Sequence, residues 1–597
     1  MDAPAGSPGG SNGLPGGVVL RGPELNPRWR TVVDMLLHAP AGWSATFVDQ
    51  RERETRLGIE EIRERASAVA GALAARGVRR GDRVALILGS GPEYLFAFFG
   101  AQMAGAVVAS LPPRHRLGRS EEHEQSTVQQ LKTMEARLVV TEAGARRMLG
   151  GVLESARPEL GCAILSELNG VARPPQPVDP EDLAIIQFSS GSTMKPKAVG
   201  LSHRNVVAQC TAICEALEFD RERVVSWLPL YHDMGLIGLF LCALDAESLV
   251  LIPPELFIAR PGLWLRALAR HRGTLTTAPN FAYALCVRKV MDAEMEGLDL
   301  SAWRHALCGA EQVSPEVIRR FCQRFAKWGF RPEALIPVYG LAEATLGVTF
   351  CRHGPLKTRT IDAVQALHTG DVRPGNRELA SVGVPISGVE VQIREDAGRA
   401  LPPERLGRIF VRGPSVMKGY FNDQEATSAT LIDGWLDTGD VGFIADGELF
   451  IYGRSKEIII IRGANRTPQE FEECLEGISG LRPGCAVAAG FWPEGAEQEE
   501  LLLLAERSRR GDAPPEAVVI ERIRVEVTRR TGVRPHTVAL LDPGTLPKTT
   551  SGKWRRGEAL KRYLTGTLHP PRRPGRFELV AEAVRSRLAH ARLWFSA

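Results

Sequence analysis

Segments typical of strands alternate with segments typical of helices along the first part of the chain. Charged and apolar residues alternate at helical spacing over residues 54–77, a strand pattern (DRVALIL) spans 82–88, and a second helical pattern spans 94–104. This alternation is typical of a layered α/β fold with parallel strands. Because the chain has 597 residues, one hydrophobic core cannot serve all of it. The sequence therefore predicts a multidomain α/β protein with a large N-terminal α/β body.

Changes in composition divide the chain further. Residues 1–27 are rich in glycine, proline and serine and lack the cationic start and apolar stretch of a secretion signal, so they are predicted to form a flexible leader. Strand patterns over 381–394 and 407–412 indicate a β-rich subdomain, and a new α+β pattern begins after GRSKE at 453–457. After the leader, the predicted units are an N-terminal domain over 28–455, a small C-terminal domain over 456–569 and a tail over 570–597.

The tail has a pattern of its own. Its apolar residues recur at helical spacing with arginines between them, which predicts a basic amphipathic helix. The residues that define this pattern are Phe577, Val580, Val584, Leu588, Ala591 and Phe595. Such a helix either packs on its own domain or binds a partner or a membrane surface, and the sequence leaves both open.

Charge and hydropathy exclude several classes of protein. The 74 basic and 70 acidic residues nearly balance, which gives no electrostatic case for nucleic acid as a partner. No apolar run approaches the roughly 20 residues that a transmembrane helix needs. We therefore expect a cytoplasmic protein without a transmembrane segment.

A glycine- and hydroxyl-rich loop carries the first chemical signal. Residues 188–206 (FSSGSTMKPKAVGLSHRNV) follow a continuous apolar strand pattern, LAIIQF, at 183–188. Glycine lets a backbone approach an anion, and main-chain N–H groups, hydroxyls and lysines then neutralise the charge, which predicts a polyphosphate site. The loop does not match the P-loop template, because no second glycine separates Gly191 from the lysines. Taken alone, the segment also fits a solvated Ser/Gly turn.

Together with six later blocks, this loop resembles the adenylate-forming superfamily of acyl and aryl AMP ligases. The loop reads SSGSTMKPKA, with Ala198 where glycine is commoner. The other blocks are SWLPLYHDMGL (226–236), CGAEQV (308–313), VYGLAEAT (338–345), GWLDTGDVGF (434–443), GRSKEIIIIRGANRTPQEFEE (453–473) and LPKTTSGKWRR (546–556). Seven blocks in one order, from about residue 30 to about residue 565, make the resemblance specific.

The resemblance implies ATP- and Mg²⁺-dependent chemistry. Members of the superfamily join a carboxylic acid to the α-phosphate of ATP, release pyrophosphate and hold the acyl-AMP for a second attack. Positioned cations reduce the repulsion between two anionic reactants. By resemblance, Lys197 and the loop hold the pyrophosphate, and Glu343 binds Mg²⁺, a cation that prefers carboxylate and phosphate oxygens. The loop residues implied are Ser190, Gly191, Ser192 and Thr193.

The resemblance also implies a nucleotide site. Tyr339, followed by Gly340, offers a flat ring to adenine opposite the backbone of Gly309 and Ala310. Asp440 is expected to accept from both ribose hydroxyls, because a carboxylate takes two donors at once.

Two further positions belong to the same cleft by resemblance. His232 lines the acyl end near the reacting carboxylate, although a buried histidine with satisfied hydrogen bonds is the alternative. Ala342 replaces the threonine of other branches, so one hydroxyl contact to the nucleotide is in doubt.

The C-terminal domain is the moving part that the resemblance implies. Lys553 matches the catalytic lysine that reaches the substrate carboxylate and the α-phosphate, and a compact ammonium on a flexible stem suits that task. Arg454, also near the nucleotide, and Lys456 match the hinge. The domain is expected to rotate after adenylation, which withdraws Lys553 and opens a path for the thiol acceptor.

The residues of several blocks most resemble those of the fatty acyl-AMP ligase branch. Members of this branch pass the acyl group to an acyl carrier protein or to a carrier domain of a polyketide or peptide synthase. The segment between Glu343 and Ser381 reads as the branch's inserted motif or as an ordinary surface excursion. The apolar and aromatic stretch at 276–290 is consistent with a tunnel for a medium or long fatty acid. A fatty acyl-CoA synthetase and a non-catalytic acyl-nucleotide-binding protein are the competing interpretations.

Overall fold

Several sheets covered by helices make up the chain. A computed structural model describes residues 17–113, 120–189, 196–396, 398–461, 464–493, 496, 498–508, 514–549 and 553–570. The mixture of large sheets and many helices confirms the predicted α/β multidomain class. Most of the predicted phosphate loop, residues 190–195, and the predicted tail helix lie outside the described residues, apart from Pro570 at the start of the tail.

The first large sheet has seven strands, five of which run parallel. In spatial order the strands are Gly419–Tyr420, Lys197–Ser202, Leu183–Ser189, Val107–Ser110, Arg83–Ile87, Leu138–Thr141 and Cys162–Ile164. The strand patterns at 82–88 and 183–188 are thereby confirmed. Their apolar residues form continuous runs because both faces of a parallel sheet are buried.

The second large sheet has nine strands with six parallel strands at its centre. In spatial order they are Val384–Pro385, Gly347–Phe350, Leu335–Gly340, His305–Gly309, Leu275–Pro279, Arg223–Ser226, Ser248–Leu251, Ser44–Val48 and Glu54–Gly58. The predicted helix over 54–77 is wrong at its start, because Glu54–Gly58 pairs antiparallel with Ser44–Val48 and the helix begins at Ile59. The local charge pattern does not reveal that edge pairing.

The third sheet is antiparallel and forms the predicted β-rich subdomain. Its six strands are Val19–Arg21, Glu390–Arg394, Gly407–Arg412, Trp435–Ala445, Leu431–Ile432 and Glu448–Arg454. The flexible leader is therefore wrong for residues 19–21, where Val19 pairs with Gln392. The apolar segment VVLR forms ladder hydrogen bonds at the sheet edge, which compensate for the entropy of ordering it. Residues 1–16 lie outside the described part.

Three smaller sheets follow in the later part of the chain. Their strands are Thr358–Ile361 with Arg377–Ala380, Ile459–Ile461 with Ala464–Arg466, and Leu481–Phe491 with Glu500–Arg507 and Thr537–Leu541. Residues after 457 have a hydrophobic core of their own, in which Phe471, Ile523 and Val527 are fully buried. A separate core is what an independently moving unit requires.

Helices cover these sheets. They are Val32–Leu37, Ile59–Ala75, Pro92–Met103, Ser120–Thr133, Ala143–Arg146, Gly150–Ala156, His203–Ala216, Asp233–Gly235, Pro254–Ala259, Gly262–Arg270, Asn280–Lys289, Pro315–Phe325, Ala363–Thr369, Gln424–Thr430, Pro468–Glu472, Glu516–Thr531 and Arg556–Leu564. None of those in the described part has the length and apolar content to cross a bilayer.

The parallel strands determine where a ligand site can form. Strands Leu183–Ser189, His305–Gly309 and Leu335–Gly340 all end at residues that belong to the predicted blocks. Ligand sites of open α/β sheets lie beyond the carboxyl ends of such strands. The blocks are therefore expected to meet in a cleft near the β-rich subdomain, where Tyr339 at the end of one strand contacts Asp440.

Candidate active site

Lys197 begins the strand that follows the predicted phosphate loop. Ser189 and Lys197 face each other across two antiparallel strands, so both ends of the loop are fixed by the sheet. The Lys197 Nζ lies 4.4 Å from the ring centroid of Tyr420 and 3.4 Å from its hydroxyl oxygen. No carboxylate of the described residues lies within 4 Å of this ammonium. Ser190, Gly191, Ser192 and Thr193 lie outside the described residues.

Glu343 lies on the short 3₁₀ turn Ala342–Ala344, directly after the strand Leu335–Gly340. One of its carboxylate oxygens accepts a hydrogen bond of 3.0 Å from the Tyr420 hydroxyl, and no described residue donates to the other. The turn is held from outside, because Met417 N donates to the Glu343 backbone oxygen at 2.9 Å and the Thr345 hydroxyl donates to a backbone oxygen at Ser415. This anchoring supports a φ of +67° at Thr345, which is unusual for a β-branched residue.

Tyr339 and Asp440 form a buried pair. The Tyr339 hydroxyl donates to Asp440 Oδ2 at 2.7 Å, and Arg454 Nε lies 3.2 Å from Asp440 Oδ1. Burial, and then the Asp440 charge, raise the pKa of Tyr339 well above its ordinary value, while Asp440 raises the pKa of Arg454. Both carboxylate oxygens thus have a protein partner, and each keeps a second acceptor position for a ligand hydroxyl. The sequence did not predict these two partners.

The backbone at Gly309 and Gly340 packs closely against neighbouring backbone atoms next to Tyr339. A Cβ at Gly309 would lie 2.8 Å from the Val338 oxygen, and one at Gly340 would lie 1.8 Å from the Leu346 oxygen. Ala310 adopts a left-handed φ of +66°. Close packing of the strand ends therefore requires glycine here, which fits a surface against which a planar ring lies.

His232 and Asp233 form a close pair near Lys553. His232 Nδ1 is 2.5 Å from Asp233 Oδ1, and both side chains remain partly exposed. Burial opposes ionisation of Asp233, but His232 and Lys553 together lower its pKa below the ordinary value. Asp233 is therefore a carboxylate at neutral pH.

Lys553 reaches this cleft from the C-terminal part of the chain. Burial lowers the pKa of its ammonium, and the charges of Asp233, Glu311 and Asp440 oppose that effect. Glu311 accepts a hydrogen bond of 2.6 Å from Phe281 N, and its pKa is raised by burial. No described carboxylate lies within 4 Å of the Lys553 ammonium, which leaves its charge available to a ligand.

The segment around Lys553 is anchored at both sides. Thr549 and Lys553 exchange hydrogen bonds of 2.8 and 3.0 Å, and Lys548 Nζ lies 3.7 Å from the ring centroid of Trp554. Arg556 pairs with Glu457 at 2.7 Å, which connects this segment to the predicted hinge.

The helix that follows Lys553 also contacts the N-terminal part of the chain. Arg562 lies 2.9 Å from Glu122 on helix Ser120–Thr133. Lys456 is exposed on the turn Ser455–Glu457, and its side chain forms no hydrogen bond or ion pair with another described residue.

The structure thus brings together Lys197, Glu343, Tyr339, Asp440 and Lys553 from widely separated blocks. It also adds three side chains that the sequence analysis did not single out: Asp233, Glu311 and Tyr420. Asp233 and Glu311 lie inside two of the blocks, next to His232 and Ala310, to which the resemblance assigns roles. Tyr420 lies outside them, and only its pairing with the strand after the loop reveals it.

Comparisons with known proteins agree with this geometry. The AMP-binding enzyme family matches residues 39–421. A putative acyl-CoA synthetase of Caulobacter vibrioides is 36% identical, with 86% of this chain and 91% of that protein covered. The medium-chain-fatty-acid–[acyl-carrier-protein] ligase JamA of Moorena producens is 33% identical, with 91% of this chain and 96% of that protein covered. A solved structure from studies of fatty acyl-adenylate ligases of E. coli and L. pneumophila has a TM-score of 0.83 at 32% identity, covering 90% of this chain and 98% of that chain.

Proposed function

The chain belongs to the AMP-binding enzyme family and is an AMP-forming ligase, and from that premise we propose that it activates a medium- or long-chain fatty acid for an acyl carrier protein. In the first step a carboxylate oxygen of the acid bonds to the α-phosphorus of ATP, and the bond to the bridging oxygen breaks. Acyl-AMP and pyrophosphate are the products. In the second step the phosphopantetheine thiol takes the acyl group, and AMP leaves.

The observation that carries this proposal is the position of Lys553. Its ammonium lies in the same cleft as Asp440 and Glu311, without a carboxylate of the described residues within 4 Å. A partly buried cation without a close partner can stabilise charge that develops on a ligand, because the lower polarity of its surroundings strengthens its effect. Adenylation brings together two anions, so this is the charge that the reaction needs.

The other predicted residues have compatible surroundings. Asp440 keeps acceptor positions for ribose hydroxyls beside the Tyr339 ring, and Lys197 is free to neutralise the pyrophosphate. The open oxygen of Glu343 suits Mg²⁺, which binds to one or two carboxylates together with substrate phosphates. When bound with ATP, Mg²⁺ supplies charge neutralisation on the phosphate oxygens.

We place the acyl chain among aromatic side chains next to the cleft. Phe281 follows the strand Leu275–Pro279, and its ring centroid lies 6.1 Å from that of Trp227, which stacks on Phe257 at 3.8 Å. His232 lines the entrance beside Asp233. An apolar aromatic wall with few polar groups fits an alkyl chain better than a polar acid.

The domain arrangement is part of the same proposal. A C-terminal domain over 456–569 turns about Arg454 and Lys456 after adenylation, removing Lys553 and admitting the carrier thiol. Arg556, Glu457 and the Arg562–Glu122 pair are the contacts that such a rotation would change. A cytoplasmic location completes the proposal. Docking of the carrier by the tail is an alternative to packing of the tail on its own domain. Deleting residues 570–597 tests it, because unchanged transfer would contradict a docking role.

One experiment tests the activity in two stages. The purified chain receives ATP, Mg²⁺ and a mixture of fatty acids, and mass spectrometry identifies the adenylate that forms. Holo carrier protein and free CoA are then supplied separately. We expect acyl transfer to the carrier and little to CoA.

Two outcomes favour the competing functions. Transfer to CoA alone would support an acyl-CoA synthetase. The similar protein of Caulobacter vibrioides carries that name. Absence of adenylate and of fatty-acid-dependent pyrophosphate exchange with every acid, although ATP binds, would support a non-catalytic binding protein.

A further inference from the structure

Tyr420 lies between two groups of the proposed active site. Its hydroxyl donates to Glu343 Oε1 at 3.0 Å, and its ring centroid lies 4.4 Å from Lys197 Nζ. The residue is 7% exposed. Its hydroxyl is the donor in this contact, because an ionised carboxylate can only accept.

The backbone fixes Tyr420 in this position. The strand Gly419–Tyr420 pairs antiparallel with the strand that begins at Lys197, with Tyr420 opposite Val199. Phe421 N donates to the Ala198 oxygen at 2.7 Å. Tyr420 and Lys197 therefore belong to one rigid pair of strands, whereas Glu343 comes from the other large sheet.

Without the Tyr420 ring between them, Lys197 and Glu343 could approach each other and form an ion pair. Lys197 and Glu343 form no direct ion pair within 4 Å, although each is close to the same phenol. A direct ion pair in a buried cleft would neutralise the two charges and leave neither for a ligand. With the ring between them, the ammonium interacts with the π face, and the carboxylate keeps one oxygen open.

We propose that Tyr420 is a positioning residue that keeps Lys197 apart from Glu343 and fixes the Glu343 side chain so that its free oxygen binds the Mg²⁺ of Mg·ATP. The inference rests on the proposed function, because it assumes that this cleft binds Mg·ATP. The hydroxyl controls the carboxylate, and the ring controls the ammonium. The two contributions can therefore be removed separately.

Calorimetric titration of ATP binding at a series of Mg²⁺ concentrations tests the hydroxyl. We expect Tyr420→Phe to raise the Mg²⁺ concentration for half-maximal ATP binding by about tenfold, since hydrogen bonds to charged groups contribute at least this much. Binding of pyrophosphate without Mg²⁺ should stay unchanged, because the ring over Lys197 remains. Tyr420→Leu should weaken pyrophosphate binding as well. An unchanged Mg²⁺ dependence in Tyr420→Phe would overturn the proposal.

Tyr452→Phe is the matched control. Tyr452 is also a buried tyrosine, its hydroxyl donates to a backbone oxygen at 3.3 Å, and Arg377 lies 4.5 Å from its ring. It loses the same atom in a comparable setting outside the cleft. We expect its Mg²⁺ dependence to match that of the unaltered chain, and an equal shift in both variants would show that Tyr420 acts only through stability.

A double-mutant cycle identifies the route of the effect. In a Glu343→Gln background, Tyr420→Phe should cause no further change in Mg²⁺ dependence, whereas additive shifts would overturn the proposal. The binding measurement also separates this inference from the proposed function. A chain that binds Mg·ATP but forms no adenylate would contradict the function and still test Tyr420, and a chain that binds no Mg·ATP would contradict both.

Discussion

Replacing Lys553 by methionine separates its chemical contribution from its packing. Methionine has nearly the same volume, so the change removes the ammonium and leaves no large cavity. The charge is partly buried and has no carboxylate within 4 Å among the described residues, so it is free to act on the transition state. Loss of one such preorganised group costs about 2.7–4 kcal/mol, which is about a 10²- to 10³-fold decrease in rate.

Fatty-acid-dependent exchange of pyrophosphate into ATP measures this decrease, and ATP binding is measured in parallel. We expect kcat for exchange to fall while the affinity for ATP changes little. Thermal stability should not decrease, because burial of the ammonium is unfavourable and is the main reason that its pKa is lowered.

Lys548→Met is the matched control for Lys553→Met. Lys548 lies on the same segment, its pKa is also lowered by burial, and its Nζ lies over the Trp554 ring. We expect its exchange rate to fall much less than that of Lys553→Met, because only the contact with the Trp554 ring is lost. Unaltered exchange in Lys553→Met, or an equal decrease in both variants, would refute the role assigned to Lys553.

Three further substitutions test other parts of the cleft. Asp233→Asn removes a negative charge that favours the Lys553 ammonium, so the pKa of Lys553 should fall further. The alkaline limb of the pH profile of the exchange rate should therefore move to lower pH, and a shift to higher pH would contradict this interaction. Tyr339→Phe removes a donor from buried Asp440 and should weaken ATP binding about tenfold or more in calorimetry, whereas unchanged binding would contradict a role for the pair. Gly309→Ala places a methyl carbon 2.8 Å from a backbone oxygen of the adjacent strand and should lower the free energy of unfolding by about 1–3 kcal/mol, measured by denaturant titration; an unchanged value would show that the strand relaxes.

The sequence did not predict which side chains contact each other within the cleft. The blocks indicated Tyr339, Asp440 and Arg454 as separate ligand-binding residues, but the structure shows them hydrogen-bonded or paired to one another. Tyr420 carried no signal outside its sheet pairing, and it contacts both Lys197 and Glu343. Apart from the Asp440–Arg454 pair, which faces across one hairpin, these contacts join side chains 77 or more positions apart in the sequence, so no local pattern encodes them.

The sequence by itself determined the α/β class, because strand and helix periodicity are local features. It also determined the family, because the seven blocks have characteristic residues in a fixed order. Only the tertiary structure decided that residues 19–21 join a sheet edge, that 54–58 form a strand, and which groups share the cleft. The physical reason is that a strand is stabilised by hydrogen bonds to its neighbour, and for Val19 that neighbour is Gln392. Likewise, the protonation of Lys553 depends on burial and on charges from distant parts of the sequence, which only the folded chain brings together.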